Sequence, residues 1–266
     1  MVHSTLLRKA SLVGAFFVSV GLVAPAQAFC PLVDGLAQQP VRKVVDGDTL
    51  RLADGRNVRL IGINAPERAR DGRPAEPYAE AATKRLQALV AANGGRVGLR
   101  LGVRERDHYG RTLAHAYDRG GRNLEAQMLA EGMGYRVAFE PASGLERCQR
   151  EAEIAARQGK AGLWQQARIL SPFELRQGGF ALVRARVTQV QRNRGGLWLE
   201  LDGPLVLRVE PKLLRYFDVN ELQRLEGRQV EVRGWVIDRA RRGEIPPQQA
   251  RWMLSLTHAA MLEVLP

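Results

Sequence analysis

Asp46-Gly47-Asp48 sets two carboxylates two residues apart, so an extended chain points both to one side, and Gly47 lets the backbone bend tightly between them. Such a pair can cradle a cation; the same tripeptide can also be only a hairpin turn. The residues beyond the turn favour the cradle. Arg59 sits among Val58, Leu60 and Ile61, where a charge is costly to bury unless it has a partner or faces a polar cleft. Asn64 and Ala65 leave that run just before Pro66, and the residue ahead of a proline is held extended, which gives the Ala65 carbonyl a fixed direction. Glu67 comes next. Brought together, these groups would hold a hard cation, which prefers oxygen ligands, beside a phosphate, which suits a guanidinium fork.

The elements that must position them are short. Strands predicted over 41–45, 49–53 and 57–63 are divided by Asp46-Gly47 and Asp54-Gly55, both strong turn signals, and Pro66 ends the meander. Pro74 and Pro77 keep 68–76 a charged loop. The spacing of Ala82, Leu86, Leu89 and Val90 predicts a helix over 78–92, closed by Asn93-Gly94-Gly95. Strands at 97–104 and 112–117 flank a polar loop, and helices follow over 124–131 and 145–158. This order is that of a five-stranded Greek-key barrel of the OB type with three helices. Beyond Ser171-Pro172, strands at 181–190, 197–201 and 205–209, a helical stretch at 212–217 and strands at 230–237 and 253–256 repeat it. The expected fold is therefore α+β and mainly β, with a first domain over 29–170 and a second, smaller OB-like β-barrel over 171–266. No residue-level repeat links the two.

Composition narrows the setting. Arg8 and Lys9 precede an uncharged apolar run over 12–24 and an Ala26-Gln27-Ala28 pattern, which reads as a signal peptide over 1–28 with the mature chain starting at Phe29. The alternative is an uncleaved anchor, but the run is short against the ~20 residues a spanning helix needs. A lipid-attachment cysteine would follow a small residue, whereas Cys30 follows Phe29. The full chain carries a formal net charge of +12, and arginine supplies 35 of its 40 cationic side chains. Such a surplus favours polyanions as partners, and guanidinium groups suit bidentate phosphate contacts. With two cysteines and no Cys-x-x-Cys or His-x-x-x-His spacing, a zinc site is excluded as a working idea. In an exported chain Cys30 and Cys148 are expected to pair as a disulfide; a buried thiol at Cys148 is the alternative.

The linked motifs carry a resemblance. Val-Asp-Gly-Asp-Thr from Val45, Arg-Leu-Ile-Gly-Ile-Asn-Ala-Pro-Glu from Arg59, Tyr109-Gly110-Arg111 and the closing Gly162-Leu163-Trp164 are similar to the thermonuclease, or staphylococcal-nuclease-like, family over about 41–164. That resemblance implies an OB-type barrel with three helices and hydrolysis of DNA and RNA to 3′-phosphate products with Ca2+. It implies Asp48 as a direct calcium ligand supported by Asp46, with Asn64 and the Ala65 carbonyl in the places of further ligands. It gives Glu67 the attacking water and Arg59 and Arg111 the scissile phosphate, with Tyr109 near the bound nucleotide. His108 beside it is either a phosphate contact when protonated or a solvated loop residue. Family members commonly carry aspartate where this chain has Asn64, and the swap removes a formal charge while keeping an oxygen ligand.

In the second half, Trp198 alternates with leucines 197, 199 and 201 and so falls on a polar strand face, as does Trp235 beside Glu231 and Arg233. They either stack on bases, as OB-type single-strand binders do, or cap the barrel and pack against the first half. The resulting expectation is an exported, monomeric, calcium-dependent nuclease of DNA and RNA without stable membrane association once the leader is removed. Its rival is a nucleic-acid-binding or protein-docking module that has lost turnover, and Asn64 is the feature in its favour.

Overall fold

Two closed rings of strands, one after the other in the chain, share one order in the computed structural model, which describes residues 29–266 apart from 71, 140 and 247. The leader expected over 1–28 lies outside the described residues. The first ring is built from β1 (Gln38–Asp46), β2 (Thr49–Leu52) and β3 (Asn57–Leu60). After them come β4 (Ile63–Asn64), α1 (Ala79–Ala92), β5 (Arg96–Arg106) and β6 (Thr112–Tyr117). The half ends with α2 (Leu124–Ala130), β7 (Tyr135–Arg136) and α3 (Glu146–Gln158). Its barrel closes in the order β1-β2-β3-β6-β5, with β3 and β6 running parallel and β4 pairing with β7 outside the ring.

Alternation along these strands drives closure. Leu50, Leu52, Val58, Leu60, Val97, Ala114 and Ala116 point inward, and α1 covers one end with Ala82, Leu86, Leu89 and Val90 at helical spacing. Asn123 caps α2 by accepting the Ala126 N–H at 2.9 Å. The expected disulfide is present: Cys30 and Cys148 are bonded across a sequence separation of 118, tying the lead-in to α3.

The second ring uses β8 (Ile169–Leu170), β9 (Gly179–Asn193), β10 (Gly196–Leu201) and β11 (Leu205–Val209). Then come α4 (Val219–Gln223), β12 (Gln229–Asp238), β13 (Trp252–Ser255) and β14 (Leu262–Val264). The ring runs β9-β10-β11-β13-β12 and closes through β12–β9, and β11 and β13 are parallel just as β3 and β6 are. The chain is thus α+β and mainly β, an OB-type barrel with three helices followed by a second OB-like barrel.

The structure departs from the sequence reading in several places: the strand expected over 57–63 breaks at Ile61 and Gly62 into β3 and β4, and the helical stretch expected over 212–217 is a 3-10 helix over Pro211–Tyr216 ahead of α4. The second sheet begins ahead of Ser171, because Ile169–Leu170 already pair with β9. The polar face of β12 is not solvated: Glu231 and Arg233 are buried, with Arg233 donating to Glu153 of α3 at 2.5 Å and Arg157 of α3 donating to Glu231 at 2.8 Å. Burial pulls the Glu231 carboxyl upward, but the guanidinium groups of Arg157 and Arg184 win and hold it below the usual range. Charges that alternate along a strand look solvent-facing in sequence; here a helix bearing the opposite charges covers them.

Candidate active site

The β1–β2 turn, α1 and the residue after β4 meet at Gly47. A Cβ at that position would lie 2.6 Å from the Ala65 Cβ and 2.7 Å from the Ala82 Cβ, so the glycine is required by close approach, not by an unusual backbone angle. This contact brings the Asp-Gly-Asp turn against the Asn64–Ala65 segment. Asp46 Oδ1 accepts the Asp48 N–H at 3.0 Å, which shapes the turn.

Asp48 is the centre of the cluster and only 6 % exposed. Its Oδ2 accepts the Ala65 N–H at 2.8 Å and lies 2.6 Å from Arg59 Nη1, while Oδ1 accepts the Thr49 hydroxyl at 3.0 Å. Burial is the main reason its carboxyl is pushed up to about 7; the Asp46 charge adds to the rise, and Arg59 and the Ala65 and Thr49 hydrogen bonds oppose it. Arg59 also donates from Nη1 to the Leu60 carbonyl at 3.0 Å and from Nη2 to Asn64 Oδ1 at 3.3 Å. The strand cation that needed a partner therefore has two, both of them candidate metal donors.

Glu67 stands at the open rim. Its N–H donates to Glu76 Oε2 at 3.0 Å, and the Glu76 N–H donates back to the Glu67 carbonyl at 2.9 Å, which fixes the backbone after Pro66. Partial burial, then the Asp46 charge, raise the Glu67 carboxyl above its ordinary value, with Arg59 and Arg111 pulling the other way. Glu67 thus feels Asp46 from β1, Arg59 from β3, Glu76 from the proline-bounded loop and Arg111 from the β5–β6 loop. Glu76 was not singled out in the sequence; its place between Pro74 and Pro77 was the available signal.

Arg111 belongs to the loop between β5 and β6. Its Nε donates to Asp107 Oδ2 at 2.7 Å, and its guanidinium carbon lies 5.6 Å from the centre of the Tyr109 ring. Against burial, which would raise it, the Arg111 side-chain and backbone hydrogen bonds hold the Asp107 carboxyl below its usual range. Tyr109 is 74 % exposed, and the His108 ring lies 3.8 Å from it, centre to centre. The tryptophans lie elsewhere. Trp198 donates to Asn193 Oδ1 at 2.9 Å under the Arg208 guanidinium, and Trp235 packs on Phe180 and on Phe139 from the first half.

The donor set has the chemistry of a hard-cation site: the carboxylates of Asp46 and Asp48 and the amide oxygen of Asn64, without nitrogen or sulfur ligands. It is lightly charged. Among the described residues, no group of three or more carboxylate, histidine or cysteine side chains is gathered closely enough to hold a metal. Burial and the Asp46 charge make Asp48 a reluctant anion, which a cation held beside it would favour in its charged form.

The family model described as staphylococcal nuclease homologue matches residues 57–166 and stops before the second barrel. The thermonuclease of Staphylococcus intermedius is 33% identical over 121 residues, covering 42% of this chain and 70% of that protein. A probable endonuclease of Clavispora lusitaniae is 36% identical over 115 residues, 40% of this chain and 47% of that protein. An SPbeta prophage-derived endonuclease of Bacillus subtilis is 34% identical over 128 residues, 46% of this chain and 42% of that protein. The chain therefore spans about half the length of these two endonucleases.

Proposed function

The chain belongs to the staphylococcal nuclease family, and from that premise we propose that it is an exported, calcium-dependent nuclease that cleaves phosphodiester bonds of DNA and RNA to 3′-phosphate products. The observation that carries this reading is the convergence on Glu67 of charges from separate elements, Asp46, Arg59 and Arg111. A carboxylate raised above its ordinary value is better matched to taking a proton near neutrality. Asp46, Asp48, Asn64 and the Ala65 carbonyl would hold Ca2+, which when bound supplies Lewis-acid polarisation of the phosphate.

The chain's own groups do the rest. Glu67 orients water at the phosphorus and takes its proton as the new P–O bond forms; the P–O5′ bond breaks, and the leaving oxygen is protonated from solvent. Arg59 from β3 and Arg111 from the β5–β6 loop stabilise the charge that grows in the pentavalent transition state, where preorganised donors contribute most. Arg59 must exchange its hold on Asp48 and Asn64 for the phosphate, and Ca2+ held by those oxygens would favour the exchange. Tyr109 lies beside the nucleotide with His108 next to it.

The disulfide supports an oxidising compartment and hence export. No described helix is long and apolar enough to cross a membrane. We take the working unit to be a monomer. One observation favours the second reading, a binding module without turnover: Arg59 is engaged by Asp48 and Asn64, the same oxygens a cation needs.

Purified protein incubated with plasmid, single-stranded DNA and RNA, with Ca2+ and with chelator, decides between them. Cleavage with Ca2+ that stops in chelator and in Glu67→Gln supports the nuclease; retention of nucleic acid without cleavage in any divalent ion supports the module.

A further inference from the structure

The segment 135–139 touches the candidate site on one side and the second barrel on the other. Toward the site, β7 pairs with β4, Ile63 opposite Arg136 and Asn64 opposite Tyr135, and the Val137 N–H donates to the Gly62 carbonyl at 3.1 Å. Among the described residues β7 is the one strand that pairs with β4. Toward the second barrel, Val137 and Ala138 are buried in that barrel's core with Val232, Leu256 and Met261. The Thr257 hydroxyl donates to the Ala138 carbonyl at 3.1 Å, and the Ala138 N–H meets the Met261 sulfur at 3.2 Å. The rings of Tyr135 and Phe139 pack on Phe180 and Trp235 of the second barrel.

Arg136 is the polar anchor of this arrangement. Its side chain is fully buried, and Nη2 donates to the Ala260 carbonyl at 2.9 Å and to Glu263 at 3.1 Å, both in the second barrel. Its Nε and Nη1 have no hydrogen-bond partner, and the nearest further carboxylate, Glu153, is 3.9 Å away. A cation so incompletely satisfied is a poor source of stability. What it does supply is a tie between the halves, because its side chain is held by Ala260 and Glu263 of the second barrel while its backbone N–H donates to Glu153 of α3 at 2.8 Å.

We propose that the second barrel is a fixed part of the cation-facing site: through segment 135–139 it sets the position of β4 and so of Asn64 and Ala65, with Arg136 as the positioning residue. This rests on the reading of Asn64 as a donor to the cation. Asp46 and Arg59 sit on strands of the first barrel and Asp48 in the turn between β1 and β2, and Ile63 and Ala65 are buried in the first core; Asn64 ends the two-residue β4 just ahead of Ala65, and the strand paired with β4 runs on into the other core. A substrate or protein that loosened the second barrel would thereby weaken calcium binding at a site it does not touch.

The test is Arg136→Met in the full-length chain, which keeps an unbranched side chain in the slot and removes the guanidinium with its bonds to the Ala260 carbonyl and Glu263. Hydrogen exchange of the 62–65 amides and calcium binding by titration calorimetry are compared with the parent and with Arg147→Ala, a 93 % exposed control. The expected result is exchange at 62–65 faster by about fivefold and a calcium midpoint raised by about fivefold, with neither change in the control. A folded Arg136→Met with unchanged exchange at 62–65 overturns the proposal. If that variant does not fold, Glu263→Gln carries the same readouts, because it weakens one Arg136 contact and leaves the Ala260 carbonyl in place. Failure of the parent to cleave with Ca2+ rejects the nuclease reading and leaves the exchange result standing; normal cleavage with unchanged exchange rejects only the positioning role.

Discussion

The two barrels of this chain close in the same strand order, with the third strand parallel to the fifth in each, yet they present different chemistry at corresponding places. In the first, the turn between the opening strands carries Asp46 and Asp48, and Arg59 on the third strand reaches Asp48 at 2.6 Å. In the second, the corresponding turn runs from Asn193 to Gly196, and Arg208 on the third strand lies 5.1 Å above the Trp198 ring and donates to the Gly195 carbonyl at 2.9 Å. A guanidinium projects from the same strand in both. One barrel surrounds it with buried carboxylate and amide oxygens, and the other with an aromatic ring and a backbone oxygen. The ring supplies positions, and the turn residues decide whether a cation and a phosphate can be held there.

The sharpest way to break the comparison is to remove each guanidinium. Arg59→Gln is expected to lower cleavage by about 10²–10³-fold, the cost of losing one preorganised donor, whereas Arg208→Gln should leave cleavage unchanged in the same assay. Equal losses would mean that both barrels act on the scissile bond. Next in size is the covalent tie that only the first barrel has. Replacing Cys30 and Cys148 together by serine should lower unfolding free energy by about 4 kcal/mol in denaturant titration, since the bond closes a loop of sequence separation 118.

Asn64→Asp adds the formal charge that the first barrel's donor set lacks. The calcium concentration for half-maximal cleavage should fall by roughly threefold to tenfold. An unchanged or higher requirement would remove Asn64 from the donor set.

The fourth prediction is a pH dependence. Asp48 titrates at about 7 in the folded chain against an ordinary 3.8, so across that interval the folded state keeps a proton that the unfolded state has released. Its contribution to stability is complete below pH 3.8 and is lost as pH rises through about 7. In chelator, melting temperature should decline over this window and Asp48→Asn should abolish that part of the decline. A wild-type profile that Asp48→Asn does not alter would contradict the burial argument. The smallest effect belongs to the second barrel. Trp198→Ala is expected to change single-strand affinity by less than about twofold, because base stacking would contribute ~1–3 kcal/mol and this ring is engaged by Asn193 and Arg208; a larger loss in filter binding would make it a stacking platform.

Much of the fold was legible without coordinates. Turn dipeptides, Pro66 and the β-forming residues of 49–53 and 57–63 located the meander, since steric limits on glycine, proline and paired strands act over a few residues. The Val-Asp-Gly-Asp-Thr and Asn-Ala-Pro-Glu segments located the candidate donors through the oxygen-bearing side chains they hold and through their resemblance to the staphylococcal-nuclease-like family. Other features depend on neighbours far apart in the chain. Gly47 is glycine because Ala65 and Ala82 press on it, not because the turn requires it. Asp48 is a reluctant acid because burial removes its water, and nothing in Asp-Gly-Asp tells how much water is left.

The sequence by itself determined the strand periods, the two barrels in outline and the residue types able to hold a cation and a phosphate, because local sterics and side-chain chemistry are set residue by residue. Only the tertiary structure decided which of those residues meet. It engaged Arg59 with Asp48 and Asn64, buried the charged face of β12 against α3, and ran one segment, 135–139, from the edge of the candidate site into the core of the other barrel. Those outcomes arise from desolvation and packing between distant segments, which depend on what covers a side chain and not on which residues adjoin it in sequence.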